Sequence, residues 1–266
     1  MTGERRWFIT GISSGIGQAL AHAALAAGDS VIGTARDDNT IARFEESSPG
    51  RAIGIRLDVS RLADIAGAVD RALTHGPVDI LVNNAGQSLF GAFEEVPVEE
   101  ARALFDVNVF GPWALARAML PHFRARGAGQ FVHVSSGCGL NGTPGLSAYC
   151  ASKFALEGFS ETLALEIAGF GLRVMIVEPG AVATRFISHG TREAGSPIEA
   201  YAALSGSGKA MLEGYYATAA STPESVADAI MAALAAPEPP LRLLVGDDGR
   251  PAVLQKADHL RMIAGG

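Results

Sequence analysis

Tyr149 and Lys153 stand four residues apart in Tyr149-Cys150-Ala151-Ser152-Lys153. On a helix that spacing puts both side chains on one face. A free phenol titrates near pH 10, too high for a base at neutral pH. A neighbouring ammonium favours the phenolate and pulls that value down, as the positive charge of an oxidised nicotinamide also would. The pair can therefore exchange a proton with a bound oxygen. The spelling alone does not decide this, because a boundary tyrosine beside a solvated lysine reads the same way.

A second signal is Thr10-Gly11-Ile12-Ser13-Ser14-Gly15-Ile16-Gly17, set between a strand-like apolar run and a helical stretch. Gly11 permits a tight turn. Gly15 and Gly17 let backbone approach a pyrophosphate and let helix pack on strand. The helix N-terminus adds amide hydrogens and a positive dipole end. The end of the second strand distinguishes the dinucleotides. A carboxylate there bonds the ribose 2′-hydroxyl of NAD, and an arginine favours the 2′-phosphate of NADP. The strand ends Thr34-Ala35-Arg36, with Asp37 and Asp38 reading as a helix start. NADP(H) is thus favoured over NAD(H). The octet has a rival reading. Gly11-Ile12-Ser13-Ser14-Gly15 also spells the nucleophile elbow of serine hydrolases, with Ser13 as nucleophile and Asp247 and His259 in the required order. That reading leaves Gly17 and the later motifs unexplained.

These groups need a frame. Strand-like apolar runs fall at Trp7 to Thr10, Ser30 to Ala35, Ala52 to Leu57, Val78 to Val82, Gln130 to Val134, Leu172 to Val177 and Leu241 to Val245. Helical patterns lie between them, the longest from Ala148 to Ile167. Alternating strand and helix, with strands apolar on both faces, predicts a doubly wound, mostly parallel α/β sheet of about seven strands in three layers, a Rossmann fold. One domain over residues 1–266 is expected. Arg185 to Ser221 reads as an irregular, glycine-punctuated lid, and Asp247 to Gly266 as a tail with Asp247 and Asp248 in a turn.

At this point the sequence resembles the short-chain dehydrogenase/reductase family along nearly its whole length. The matching pieces are the Thr10–Gly17 octet, Asp58 after the third strand, Asn83-Asn84-Ala85-Gly86 after the fourth, Asn108, Ser136, Tyr149 with Lys153, and Pro179-Gly180 with Thr184. All stand in family order. The family's serine lies thirteen residues before its tyrosine, which selects Ser136 over Ser135. The resemblance implies that Tyr149 is general acid or base and that Ser136 bonds the same substrate oxygen. Lys153 would lower the Tyr149 pKa and bond the nicotinamide ribose, and Asn108 would hold a water linking Lys153 to solvent. Gly11, Ser13, Ser14, Gly15, Ile16 and Gly17 would cradle the cofactor. Asp58, with Val59 beside it, would meet the adenine, and Asn84, Ala85 and Gly86 the adenosine ribose. Pro179, Gly180, Val182 and Thr184 would line the nicotinamide end. Asn83 would tie strands together, and Thr184 has the alternative of merely capping a helix. A non-catalytic, dinucleotide-sensing protein on this fold is the alternative; it predicts decay of the reacting groups, and all four are present.

Composition narrows the remaining classes. The chain has 266 residues, 32 of them glycine, against an average usage of about 7%. The glycines follow no three-residue period, so collagen is excluded. The net charge is −7, and the sequence holds no Lys/Arg cluster, so neither a nucleic acid nor a membrane is an expected partner. Six histidines lack metal spacing, and no metal is expected; His133 reads as structural. Two cysteines and no signal-peptide pattern point to the cytoplasm. Cys138 and Cys150 read as small packed residues. Leu89, Phe90, Phe93, Leu140 and Leu146, with Phe186, Ile187, Tyr201, Leu204, Met211, Tyr215 and Tyr216 from the lid, are expected to form an apolar wall over the site. The expected substrate is a mid-sized, largely apolar ketone, aldehyde or secondary alcohol. The resemblance also implies a homodimer or homotetramer through the helices starting near Pro112 and Ala148.

Overall fold

The computed structural model describes residues 4–183, 190–217, 219 and 221–265, without the side chains of residues 206, 207, 209, 211, 215 and 217. Seven strands form one parallel sheet: β1 (Arg6–Thr10), β2 (Ser30–Ala35), β3 (Ala52–Arg56), β4 (Ile80–Asn83), β6 (Gly129–Val134), β7 (Leu172–Pro179) and β9 (Arg242–Val245). Their order is β3-β2-β1-β4-β6-β7-β9, the doubly wound arrangement expected. Successive side chains on a strand point to opposite faces, and the two faces are covered separately. Trp7 and Ile9 of β1 pack with Leu20 of α1 (Gly15–Ala26), Phe44 of α2 (Asp38–Ser47) and Ile230 of α8 (Pro223–Ala235). Phe8, between them, packs with Ile65 of α3 (Leu62–Thr74), Leu115 and Phe123 of α5 (Gly111–Arg126) and Ile167 of α6 (Ser147–Ile167). Because both faces are dry, the strands carry continuous apolar runs instead of alternating ones.

Four features depart from the sequence reading. A short strand, β5 (Ser88–Phe90), follows β4 and pairs in parallel with β8 (Thr191–Glu193) in a separate two-stranded sheet. The helices α4 (Val98–Phe105) and α5 are joined by a π-helical stretch, Asp106–Phe110, with Asn108 in it. The lid is not irregular in its described part: β8 is followed by α7 (Ala202–Ala217). The tail contains the helix α9 (Arg250–Ile263). Three-residue strands and a helix with several glycines give too little periodicity to be read locally. Among the described residues, no helix is long and apolar enough to cross a membrane.

Candidate active site

A cleft of about 660 Å³ runs along the carboxyl ends of the sheet strands. Its wall includes Gly11, Ser13, Ser14, Gly15, Ile16, Arg36, Asp58, Val59, Asn84, Ala85, Gly86, Ser136, Tyr149, Lys153, Pro179, Gly180 and Val182, so nearly every expected site residue is gathered there. Gly11 turns the chain at φ +75°, in the left-handed region that favours glycine, and its amide and that of Ile12 bond Thr34 O at 3.0 and 3.1 Å. α1 then starts against the cleft. Ser14 precedes it in extended backbone without a side-chain cap, and no acidic residue stands in its first turn. Its positive end is therefore left for an anion, which suits a diphosphate. Gly17 is not on the wall. A Cβ there would overlap the Asn84 side chain and the Gly11 carbonyl oxygen, so Gly17 permits close packing beneath the loop.

Asn84, not Asn83, ties the strands. Its amide donates to Thr10 O at 2.8 Å and Gly11 O at 3.0 Å, and Thr10 Oγ1 accepts from the backbone of Asn84 and Ala85. Asn83 donates to Pro112 O of α5 at 3.3 Å. Asp58 lies on the wall with Oδ1 held by Ser60. Asp37 caps α2 by accepting from Thr40 N at 2.8 Å, leaving exposed Arg36 as the charge at the end of β2. Arg36 lines a second cavity, of about 660 Å³, together with Arg56, Arg61 and Arg71 and with Asp58 and Asp64; Arg56 is paired to Asp38 and Arg61 to Asp64.

At the other end, Ser136 follows β6 by two residues in extended backbone, and its Oγ accepts from Cys138 N at 3.2 Å. Tyr149 and Lys153 share a face of α6, and both are buried. Lys153 Nζ donates to Val134 O at 2.8 Å and lies 5.8 Å from the Tyr149 ring centre. The expected lowering of the Tyr149 pKa is not found. Burial drives the phenol well above its usual value, Tyr216 and Cys138 add to this, and a hydrogen bond with Ser136 opposes it. Burial also pulls Lys153 down to about 8, with Glu157 and Cys138 acting in the opposite sense. Asn108 lies behind the wall. Its amide donates to Gln87 O at 2.9 Å and Ser152 Oγ at 3.0 Å, and its Oδ1 accepts from Gln87 N. That side chain fixes the Gln87 peptide.

Two residues missed in the sequence shape the site. Asp248, read as part of a turn, accepts from Ala181 N at 2.7 Å and packs where Gly180 has no side chain. It thereby fixes the Pro179–Val182 segment. Glu95 is almost fully buried and accepts from Ala92 N, Ile198 N and Ser205 Oγ at 2.8 to 2.9 Å. It joins the lid to the loop after β5. Leu89, Phe90 and Leu146 pack with Tyr149 but are buried behind the cleft instead of forming its wall, Phe93 is 84% exposed and Tyr201 turns away to Glu94. Tyr216 and Arg192 of the lid line the cleft. Thr184, Phe186 and Ile187 lie outside the described residues, as do the side chains of Met211 and Tyr215. His133 is structural: its Nδ1 lies 2.6 Å from Ser160 Oγ, and burial, then Lys153, hold its pKa down to about 3. Cys138 and Cys150 are free thiols in the same packed cluster. Only glycines among the described residues have positive φ, so Ser13 does not sit on the strained turn a hydrolase elbow needs. No group of three His, Cys, Asp or Glu among those residues could hold a metal ion.

A family model described as short chain dehydrogenase matches residues 6–194. The human protein 17-beta-hydroxysteroid dehydrogenase type 1 is 36% identical over 272 residues, covering 94% of this chain and 80% of its own. A short-chain dehydrogenase from Streptomyces avermitilis superposes with a TM-score of 0.91 at 42% identity, covering 98% of this chain and 95% of that one. One from Burkholderia phymatum, in complex with NAD, gives 0.83 at 26% identity over 95% and 91% of the two chains. Further neighbours at 26% identity hold NADP or NADPH.

Proposed function

This chain belongs to the short chain dehydrogenase family of NAD(P)-binding oxidoreductases, and from that we propose that it is an NADP-dependent carbonyl reductase with Tyr149 as proton donor. One observation carries the reading: Tyr149, Ser136 and Lys153 share a single cleft wall with the amino end of α1. NADPH, when bound, supplies the hydride, and its orientation belongs to the protein. The uncapped start of α1 takes the diphosphate. The Pro179–Val182 segment, clamped by Asp248 and by Gly180 N donating to Val245 O at 2.9 Å, takes the carboxamide end. Arg36, exposed at the end of β2 and on the cleft wall, favours a 2′-phosphate over a bare hydroxyl.

Tyr149 keeps its proton at neutral pH because burial raises its pKa. A protonated phenol is an acid, which suits the reductive direction. It donates to the carbonyl oxygen as charge develops there. Ser136 donates a hydrogen bond to the same oxygen, and the Lys153 ammonium stabilises the phenolate left behind. Asn108 positions Gln87 at the cleft wall. The proposed substrate is a mid-sized, largely apolar ketone or aldehyde, and the human relative's name, a hydroxysteroid dehydrogenase, fits that class. The same reading extends to a homodimer or homotetramer through α5 and α6, which carry Trp113, Phe154 and Leu165 exposed. A panel of carbonyl compounds, followed by NADPH and NADH oxidation separately, tests the substrate and cofactor. Turnover of apolar ketones with NADPH is expected, and turnover confined to highly charged compounds would contradict it.

A further inference from the structure

Behind the wall that carries Ser136 and Lys153 lies a cluster of charged groups that the proposed reaction does not use. Glu157 follows Lys153 by one helical turn on α6, and both side chains are buried. Glu157 Oε2 is held by Arg242 of β9. The same guanidinium donates to Glu178 Oε1 of β7 at 2.7 Å and to Glu161 Oε2 at 3.3 Å. Glu157 Oε1 has no hydrogen-bond partner among the described residues, and neither has Ser135 Oγ. Both face Gly139, in the turn after Ser136: a Cβ on Gly139 would lie 3.0 Å from Glu157 Oε1 and 2.6 Å from Ser135 Oγ.

A buried carboxylate must be compensated by positive charge. Arg242 is shared among three carboxylates, so it does not neutralise Glu157 alone. Among the described residues Lys153, one helical turn away, is a second cation acting on it. The remaining groups around Lys153 are Tyr149, Cys138, the Val134 carbonyl and His133, which burial keeps neutral. Glu157 is the largest influence holding the proton on Lys153 against burial.

We propose that Glu157 is a positioning residue for Lys153: its carboxylate keeps that ammonium charged inside a dry wall, and Arg242 anchors the carboxylate from the far edge of the sheet. The proposal rests on the reading of Lys153 given above. A charged Lys153 is lost as pH rises through its folded value of about 8, so carbonyl reduction falls on the alkaline side. Removing the Glu157 charge should bring that fall to lower pH.

The test is the pH profile of carbonyl reduction for Glu157→Gln and Glu157→Asp. For Glu157→Gln the alkaline midpoint is expected to drop by about one pH unit, the size of a nearby-charge effect. Glu157→Asp keeps the charge and should restore the midpoint. A Glu157→Gln enzyme that loses activity equally at every pH overturns the proposal. If Glu157→Gln does not fold, Arg242→Met decides: the buried carboxylate loses its anchor and its compensating charge, its hold on Lys153 weakens and the midpoint falls, whereas an unmoved midpoint overturns the proposal. Lys153→Met separates the two levels. Full turnover in that variant defeats the reading of Lys153 and this inference with it. An inactive Lys153→Met beside an unshifted Glu157→Gln defeats this inference alone.

Discussion

At the scale of single residues, the site works by burial set against a few charges. Burial raises Tyr149 and lowers Lys153, so the phenol is an acid at neutral pH and the ammonium is near its titration point. At the opposite end of the cleft, Arg36 is exposed and Asp37 is spent on capping α2. Arg36→Ala should therefore weaken NADP binding about ten- to a hundredfold, the loss of a charge-assisted hydrogen bond, and leave NAD binding within about twofold. Titration of cofactor fluorescence measures both, and equal loss of the two would contradict the 2′-phosphate assignment. The residues that the sequence makes legible here are those whose partners are local. Tyr149 and Lys153 meet because they are one helical turn apart, and the glycine octet is contiguous. Asp248 and Glu157 were invisible because Ala181 and Arg242 reach them from 67 and 85 residues away.

At the scale of elements, the lid helix is tied down through Glu95. Glu95 accepts two backbone amides and the Ser205 hydroxyl, which fixes the start of α7 while its far end brings Tyr216 to the cleft. The Ile198 and Ala92 amides, in that order, and then Ser205 hold the Glu95 pKa below the ordinary carboxylate value, against desolvation. Because the folded value is lowered, the latch is fully made above the unfolded carboxylate pKa and is lost as pH falls through the lowered one. Glu95→Gln replaces an acceptor with an NH₂ that faces donors. It should raise KM for the carbonyl substrate about tenfold while kcat changes less, as expected when a hydrogen bond to a charged group is lost. Steady-state kinetics checks this, and an unchanged KM would mean the lid does not depend on Glu95. One lid glycine also finds a reason: a Cβ on Gly208 would lie 2.7 Å from Phe90 Cζ, so α7 packs directly on the ring beneath it. The lid escaped sequence reading because β8 is defined by its pairing with β5, a contact about a hundred residues apart in the chain.

At the scale of the molecule, the parallel sheet places both halves of the site at one edge. Strand order reverses between β1 and β4, and there the glycine loop and the Asn84–Gly86 segment open a crevice at the carboxyl ends. The strands were readable because each is buried on both faces and so is an unbroken apolar run. The loops' positions then followed from the strands. The glycines that stand out in the composition divide between that crevice, as with Gly11, and tight packing behind it, as with Gly17 and Asn84. On the proposed function, the frame has to hold one phenol where it can give a proton to a carbonyl held against bound NADPH. Tyr149→Phe removes only that hydroxyl. Measured side by side, carbonyl reduction should fall by about 10² to 10⁴, the usual contribution of a general acid, while NADPH still binds with wild-type affinity. Undiminished reduction in the Tyr149→Phe enzyme would contradict the assignment.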